Sequence, residues 1–406
     1  LPLIFPDSNT GFSQPLIYFA YFSFLTSSLL GYFINYRQTL LGADQKNYVV
    51  AAYFQTATIV KTLVQMASAY YTGNYYLWVA IELGFGVIYS FILNWKINET
   101  YPWLKTRVKE GRRLLKQYPD VIVKTKQLFI HKIAGSICLQ SYNVIIYAVA
   151  SLSMVALYGN YVLIIGKITS LINTALGSSG ASVGNLAAQG NLQRTRDIYW
   201  EMAGFTSFIG GVVFYSLIGF STPFIKLWLG TQYELALWVI LPYFIKIYCD
   251  FTTSNLNTFL YAHGLFYDVW APFVESVICL GISIGAGIKW GLFGVLLGSM
   301  TSNLIINVGW KSYFLFTKGL KLPWLRFWLF YGKYLIVQIL AIVGMDYMFK
   351  GKFFTENANF FQLGSSAVVL TLIYAVVTGM ILIATDAGLR NFILHIRNHF
   401  SHKATV

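Results

Sequence analysis

The chain has 406 residues and a formal charge of +14, and 56% of its residues are hydrophobic while only 11% are charged. Because a soluble domain carries about 25% charged residues, this composition excludes an ordinary soluble protein. In so apolar a chain, the basic excess indicates cytoplasmic loops that face anionic lipid, and we do not expect nucleic acid as a partner.

Long apolar blocks separated by polar breaks run through the sequence. A helix of about 20 apolar residues crosses the roughly 30 Å hydrocarbon layer. We predict eleven spans, at 16–36, 47–70, 75–96, 128–150, 153–176, 198–222, 235–258, 269–289, 291–313, 324–346 and 362–384. A transmembrane barrel would alternate in polarity over roughly ten residues, which the continuous apolar stretch 363–385 excludes. The sequence therefore predicts an all-α polytopic membrane protein.

The positive residues fall mostly on one side of these spans. Of the 29 Lys and Arg residues, 20 lie in connections on that side. These connections include the segment 96–126 and the tail 390–403. Because positive residues favour the cytoplasmic side, we expect the C-terminus in the cytoplasm and residue 1 outside. The outside start and the loop-like character of residues 1–15 predict that about three helices precede this chain in the intact protein. The segment 96–126 is either a helix on the anionic membrane surface or a charged linker.

A weak internal repeat supports two similar halves. The segments 40–50 and 259–270 each join one span to the next, and Leu41, Ala43 and Tyr48 recur in register as Leu260, Ala262 and Tyr267. An even number of spans separates them, so both copies have the same orientation, as in transporters built from parallel repeats.

Ionisable residues lie inside the predicted spans, where a charge costs at least about 2.5–3.5 kcal/mol on insertion scales. They are Lys61, Glu82, Lys132, Lys167, Lys246, Asp250, Glu275, Lys333 and Asp346. Lysines exceed carboxylates in this set, which indicates a cationic cavity suited to a phosphate-bearing lipid. Lys246 and Asp250 are four apart, and we expect them to share a helix face as a pair.

Candidate site residues follow from these charges and from polar residues near them. For substrate binding we predict Lys61, Lys132, Lys167, Lys246, Arg37, Asn143 and Asn173. For ion coupling we predict Asp250, Glu275 and Glu82. Any single asparagine could instead tie two helices together.

The run 173–191 is rich in Gly, Ala and Ser. Gly180, Gly184 and Ala188 are four apart, so they predict a small-residue stripe where two helices pack closely, rather than a phosphate-binding loop. Gly177 would extend the same face.

Signals for an enzyme or a metal site are weak. The five histidines show no metal-binding spacing, and no carboxylate pair, nucleophile elbow or GK[ST] motif is present. We therefore expect no catalysis, no cofactor and no metal. Cys138, Cys249 and Cys279 lie in apolar blocks, so they are expected to be small buried hydrophobes without a disulfide.

Five motifs in order resemble one transporter family. They are YRQTLLGADQKNYV (36–49), FIHKIAGSICLQSYNVIIYAVASLSMVALYGNYVLI (129–164), SSGASVGNLAA (178–188), FIKLWLG (224–230) and GLFGVLLGSMTSNL (291–304). Together they resemble bacterial polysaccharide flippases of the Wzx type, in the multidrug/oligosaccharidyl-lipid/polysaccharide exporter superfamily. The resemblance covers nearly the whole chain, although each motif is loose.

The resemblance implies two pseudo-symmetric helical lobes around a central cavity, with the first lobe truncated here. Residues 1–95 would be the remainder of the N-terminal lobe, 96–127 a basic linker, 128–320 the six-helix C-terminal lobe, and 321–406 two further helices and a basic tail. It also implies alternating access that moves an undecaprenyl-pyrophosphate-linked oligosaccharide across the bacterial cytoplasmic membrane, with H⁺ or Na⁺ as the coupling ion. Polysaccharide polymerase or chain-length proteins would be partners.

Two alternatives stay open. A peptidoglycan-precursor flippase or a cation-coupled drug exporter would have the same architecture. A membrane glycosyltransferase or polymerase would instead need an essential carboxylate or histidine.

Overall fold

The computed structural model of the chain describes residues 13–104, 108–176, 180–349 and 359–403. All regular secondary structure within these ranges is helical. The helices are α1 (Gln14–Phe33), α2 (Gln38–Ala43), α3 (Asn47–Thr72), α4 (Tyr75–Thr100), α5 (Val108–Gln117), α6 (Pro119–Val149), α7 (Leu152–Leu176), α8 (Gly180–Ala188), α9 (Leu192–Leu229), α10 (Leu237–Ala262), α11 (Trp270–Trp290), α12 (Leu292–Asn303), α13 (Lys311–Phe314), α14 (Leu325–Phe349), α15 (Phe360–Thr385) and α16 (Ala387–Lys403).

The helix that begins with α12 changes its winding along its length. Two π-helical stretches, Leu304–Trp310 and Leu315–Gly319, lie on either side of α13. Residues 292–319 therefore form one continuous rod of α- and π-helical turns, called the α12–α13 rod below. Single π turns inside long helices are frequent at functional sites.

Each of the eleven predicted spans coincides with a long helix. Eight helices within the described ranges are long and apolar enough to cross a membrane: α1, α4, α7, α9, α11, the α12–α13 rod, α14 and α15. The other three, α3, α6 and α10, have 26, 31 and 26 residues but carry more polar side chains. The protein is thus an all-α polytopic membrane protein.

Local sequence signals set several helix boundaries. Helix α3 ends at Gly73, whose φ of 58° is left-handed and suits a residue without a Cβ. Helix α4 follows immediately, because the Asn74 side chain accepts a 2.9 Å hydrogen bond from the backbone N–H of Tyr76. Asn191 caps α9 in the same way, accepting from the N–H of Arg194 at 3.0 Å.

The chain divides into two compact units. The first comprises residues 1–114 and 174–182, and the second comprises 115–173 and 183–406. In the first unit, α4 packs against α1 and α3, and Leu41, Leu93 and Ile97 form a small buried core at the α2 end of α4. The four-part division at residues 95, 127 and 320 stays a prediction.

In the second unit, α9 is the central helix and contacts α10, α14, α15 and α16. Helices α11 and α12 approach most closely where glycines of α12 face α11. A methyl group added at Gly298 would lie 2.6 Å from the carbonyl oxygen of Cys279. Small residues let transmembrane backbones meet in this way.

The small-residue stripe behaves differently. Among the described residues, methyl groups added at Gly180 or Gly184 would meet nothing within 4 Å, so the prediction of close packing is wrong for these two positions. Four-residue spacing shows that small residues share a face, but it does not show that a partner helix covers that face. Gly177 lies outside the described residues.

The cysteines differ from the expectation in one respect. Cys249 is a buried free thiol, whereas Cys279 is buried and disulfide-bonded. The expectation of unpaired cysteines is therefore wrong for Cys279. Residues distant in sequence can meet the geometric demands of a disulfide once helices pack, which spacing alone does not show.

The basic C-terminal tail forms a helix that docks on α9. The Asp386 carboxylate caps α16 by accepting the Leu389 N–H at 3.0 Å. Phe392 stacks on Phe205 of α9 with ring centroids 4.4 Å apart. His395 Nδ1 lies 2.9 Å from Oε2 of the buried carboxylate of Glu201.

Candidate functional site

A polar cluster lies inside the second unit, where α10 meets the α12–α13 rod. Lys246 Nζ and Asp250 Oδ2, one helical turn apart on α10, form an ion pair at 2.5 Å. Asn303 of α12 donates to the other carboxylate oxygen, Asp250 Oδ1, at 2.8 Å. Both oxygens of Asp250 are therefore hydrogen-bonded, as the cost of an unpaired charge in this environment requires.

A second carboxylate, Glu275 of α11, lies near the same cluster. Asn307, in the first π-helical stretch of the rod, donates to Glu275 Oε1 at 2.8 Å. Lys311 and Lys246 also act electrostatically on Glu275. Asn303, Asn307 and Lys311 are spaced by four residues, so one side of the rod presents two amides and an ammonium group to the two carboxylates.

A third carboxylate, Asp268, lies just before α11 and is 3% exposed. Trp310 of the rod donates from Nε1 to Asp268 Oδ2 at 3.0 Å. His131 of α6 places Nε2 3.5 Å from Asp268 Oδ1 and 3.3 Å from the carbonyl oxygen of Phe266. The first π-helical stretch of the rod thus contributes Asn307, which contacts Glu275 of α11, and Trp310, which contacts Asp268 just before α11.

A cavity of about 360 Å³ opens beside the Asp250 cluster. Helix α10 supplies most of its wall, and α7 and the rod supply the rest. The polar lining residues are Thr169, Asn173, Asp250, Thr253, Ser254, Asn257 and Asn307, and the apolar ones are Ile247 and Phe251. No Lys or Arg is among these described lining residues.

The predicted residues of the second unit divide between this cavity and other surfaces. Asp250 and Asn173 line the cavity, and Lys246 and Glu275 contribute to the cluster behind it. Lys132, Lys167 and Asn143 lie on exposed faces of α6 and α7 and are not among the cavity residues. Lys132 still acts electrostatically on Lys311.

In the first unit, two predicted residues meet each other. Lys61 Nζ of α3 lies 2.6 Å from Glu82 Oε1 of α4, and both side chains are half-buried. Gln65 donates to the other oxygen, Glu82 Oε2, at 3.1 Å. The predicted site residues Lys61 and Glu82 therefore neutralise each other across α3 and α4.

Arg37, also predicted to bind substrate, lies in the short turn before α2 and donates to Asn98 Oδ1 at 2.9 Å. In the next turn, the Asp44 carboxylate pairs with Lys46 at 2.7 Å and accepts from the Tyr101 hydroxyl at 2.8 Å. These hydrogen bonds, from Lys46 first and Tyr101 second, lower the pKa of Asp44. Asp44 and Lys46 thus tie the start of α3 to the end of α4.

Sequence reasoning missed part of the second-unit cluster. The set of ionisable residues predicted inside the spans omits Lys311, although it lies within the α12–α13 rod. Asn303 and Asn307 were not singled out, although two amides and a lysine at four-residue spacing in an apolar segment are the signal that could have identified them. Asp268 precedes its helix and gave no such signal. Among the described residues, no group of three or more His, Cys, Asp or Glu side chains is arranged to hold a metal ion.

Comparison with protein-family models and with curated proteins finds no match. Comparison with solved structures finds a lipid II flippase, MurJ, in an inward closed conformation. The TM-score is 0.54 and the sequence identity 16%, and the alignment covers 91% of this chain and 73% of the flippase chain. At this identity the similarity shows a common fold.

Proposed function

We propose that this protein is a flippase for a polyprenyl-pyrophosphate-linked glycan in the bacterial cytoplasmic membrane. The observation that carries the proposal is the fold shared with a lipid II flippase over 91% of the chain. A fold alone does not specify a function. In this protein the helical bundle also contains a polar cavity and partly buried ion pairs.

The cavity is consistent with movement of a polar head group. A membrane protein tolerates buried polar side chains where they line a pathway or pair with each other. In the second unit they do both, because Asp250 pairs with Lys246 and also lines the cavity. In alternating access, such a cavity opens first to the cytoplasmic face and then to the outer face.

Two classes of lipid-linked glycan are candidates. The motifs at residues 36–49, 129–164 and 291–304 resemble repeat-unit flippases, which favours an undecaprenyl-pyrophosphate-linked oligosaccharide for O-antigen or capsule synthesis. The fold similarity to a lipid II flippase favours the peptidoglycan precursor. The shared chemistry is a sugar head group joined through pyrophosphate to a long polyprenyl chain.

The individual residue roles are part of the proposal. We infer that the Lys246–Asp250 pair and Glu275 change partners during the transport cycle, since each lies among groups of opposite charge. Glu82 and Lys61 would do the same between α3 and α4. Such exchange would let H⁺ or Na⁺ drive the cycle.

Proteoliposomes test the proposed function. The purified protein is reconstituted with an undecaprenyl-pyrophosphate-linked oligosaccharide whose sugar carries a fluorophore, and an impermeant reductant quenches the label in the outer leaflet. We expect quenching of the inner-leaflet pool to be faster than in protein-free vesicles. Parallel vesicles with labelled lipid II separate the two substrate classes. Equal rates with and without protein for both lipids would refute the flippase proposal.

A further inference from the structure

The cavity beside α10 has a neutral, hydrogen-bonding wall. Seven of its nine lining residues are polar, and Asp250 is the only charged one among them. Its carboxylate is already bound by Lys246 and Asn303. Pyrophosphate is recognised by Arg and Lys, through charge and bidentate hydrogen bonds. The described lining residues therefore offer no cation to which a pyrophosphate could bind.

The hydrogen-bonding groups on the wall are of two kinds. The hydroxyls of Thr169 and Thr253 donate to carbonyl oxygens of their own helices, at 3.2 and 2.7 Å, so their oxygens remain acceptors. The amides of Asn173 and Asn257 have no hydrogen-bond partner among the described residues. Each amide therefore offers two N–H donors and one carbonyl acceptor to a ligand.

This mixture of donors and acceptors matches a sugar ring. A sugar presents hydroxyl groups, each both donor and acceptor, around a ring whose C–H faces are apolar. The Phe251 ring and the Ile247 side chain provide an apolar patch on the same wall. Sites with an apolar surface and a few placed polar groups are typical of small-molecule pockets.

The volume limits what the cavity can hold. At about 360 Å³, it is near the lower end of the roughly 300–1,000 Å³ range of ligand pockets. It can take part of a lipid-linked glycan, but not the sugars, pyrophosphate and lipid together. We propose that this cavity is the glycan subsite of the transporter, which binds the sugar part of the head group and leaves the pyrophosphate outside. The inference rests on the proposed flippase function.

Binding measurements with and without the sugar test this subsite. The purified protein in lipid nanodiscs is titrated with an undecaprenyl-pyrophosphate-linked oligosaccharide, with lipid II and with undecaprenyl pyrophosphate that carries no sugar. The variants are Asn257→Leu and Asn173→Leu, which replace an amide by a side chain of similar size. Thr169→Val is a smaller change, and it tests the same wall if the two Asn→Leu variants fail to fold. Asn160→Leu on α7, outside the cavity lining, is the matched control.

We expect each amide substitution to weaken binding of the preferred glycosylated lipid about threefold to tenfold, the range for one lost hydrogen bond. Binding of the sugarless lipid should not change, and the control should behave as wild type. Equal losses for both lipids, or variants that bind like the control, would overturn the glycan subsite while the flippase proposal stands. If the wild-type protein binds none of the three lipids, the flippase proposal itself fails.

Discussion

The ion pair between Lys246 and Asp250 provides the most direct energetic test of the cluster. Removing one member of a fully buried pair costs about 3–5 kcal/mol because the other charge is left without a partner, whereas an exposed pair contributes at most about 1 kcal/mol. The Lys246 side chain is 17% exposed and that of Asp250 is 42% exposed. Asp250 faces the cavity and is partly screened, so we expect a cost of about 2 kcal/mol for Lys246→Met.

A double-mutant cycle isolates the pair. Asp250→Asn keeps an oxygen that can accept from Asn303 but removes the charge that Lys246 needs. The double variant removes both charges and leaves neither unpaired. Its loss of stability should therefore be smaller than the sum of the losses in the two single variants. We expect a coupling energy of about 1–2 kcal/mol between the two sites.

Equilibrium unfolding in mixed micelles, with a denaturing detergent added stepwise, measures each corner of the cycle. Circular dichroism of the helices reports the folded fraction. If the two single effects add to within about 0.5 kcal/mol of the double variant, the pair is not coupled and the account of the cluster is refuted.

Three further predictions concern other contacts. Gly298→Val should lower stability by about 1–3 kcal/mol, because its side chain would meet the backbone of α11; a lower thermal midpoint in detergent checks this. Lys61→Met should slow lipid transfer and lower the midpoint, because it leaves the half-buried Glu82 without its cation. His395→Ala should increase proteolysis of α16, since it removes the imidazole that contacts the buried Glu201 carboxylate; mass spectrometry after brief protease treatment detects the cleavage.

Matched variants sharpen these tests. Gly281→Val is the control for Gly298→Val, since a methyl group at Gly281 would meet nothing within 4 Å; equal losses would contradict the packing argument. The double variant of Lys61→Met with Glu82→Gln should recover stability relative to Lys61→Met alone, and no recovery would show that their pairing is unimportant. Asn398→Ala, at an exposed position of the same helix, serves as the control on α16, and equal cleavage of the two variants would contradict the role given to His395.

The long helices were predictable because membrane insertion demands about 20 apolar residues in each span, and sequence displays such runs directly. The contact between Lys246 and Asp250 was predictable for a similar reason, since one helical turn separates them. The contact between Lys61 and Glu82 was not, because it joins two helices and depends on how they pack. Sequence gives the face on which a charge lies more readily than the partner that it meets.

The α12–α13 rod shows what local pattern does not reveal. Asn307 and Trp310, which contact Glu275 and Asp268, both lie in its first π-helical stretch. A helical wheel drawn from the sequence does not show where α-helical winding changes to π-helical winding. The glycines at 180 and 184 show the converse limit, because methyl groups added there would meet no described atom within 4 Å despite the regular four-residue spacing.

Leaflet transfer in one set of proteoliposomes shows whether this protein is a glycolipid flippase. Initial rates are compared for a labelled undecaprenyl-pyrophosphate-linked oligosaccharide, labelled lipid II and a fluorescent drug cation, with protein-free vesicles as the reference. We expect protein-dependent transfer of at least one glycolipid and no transfer of the cation. Transfer of the cation alone, or formation of new glycosidic bonds without transfer, would contradict this expectation.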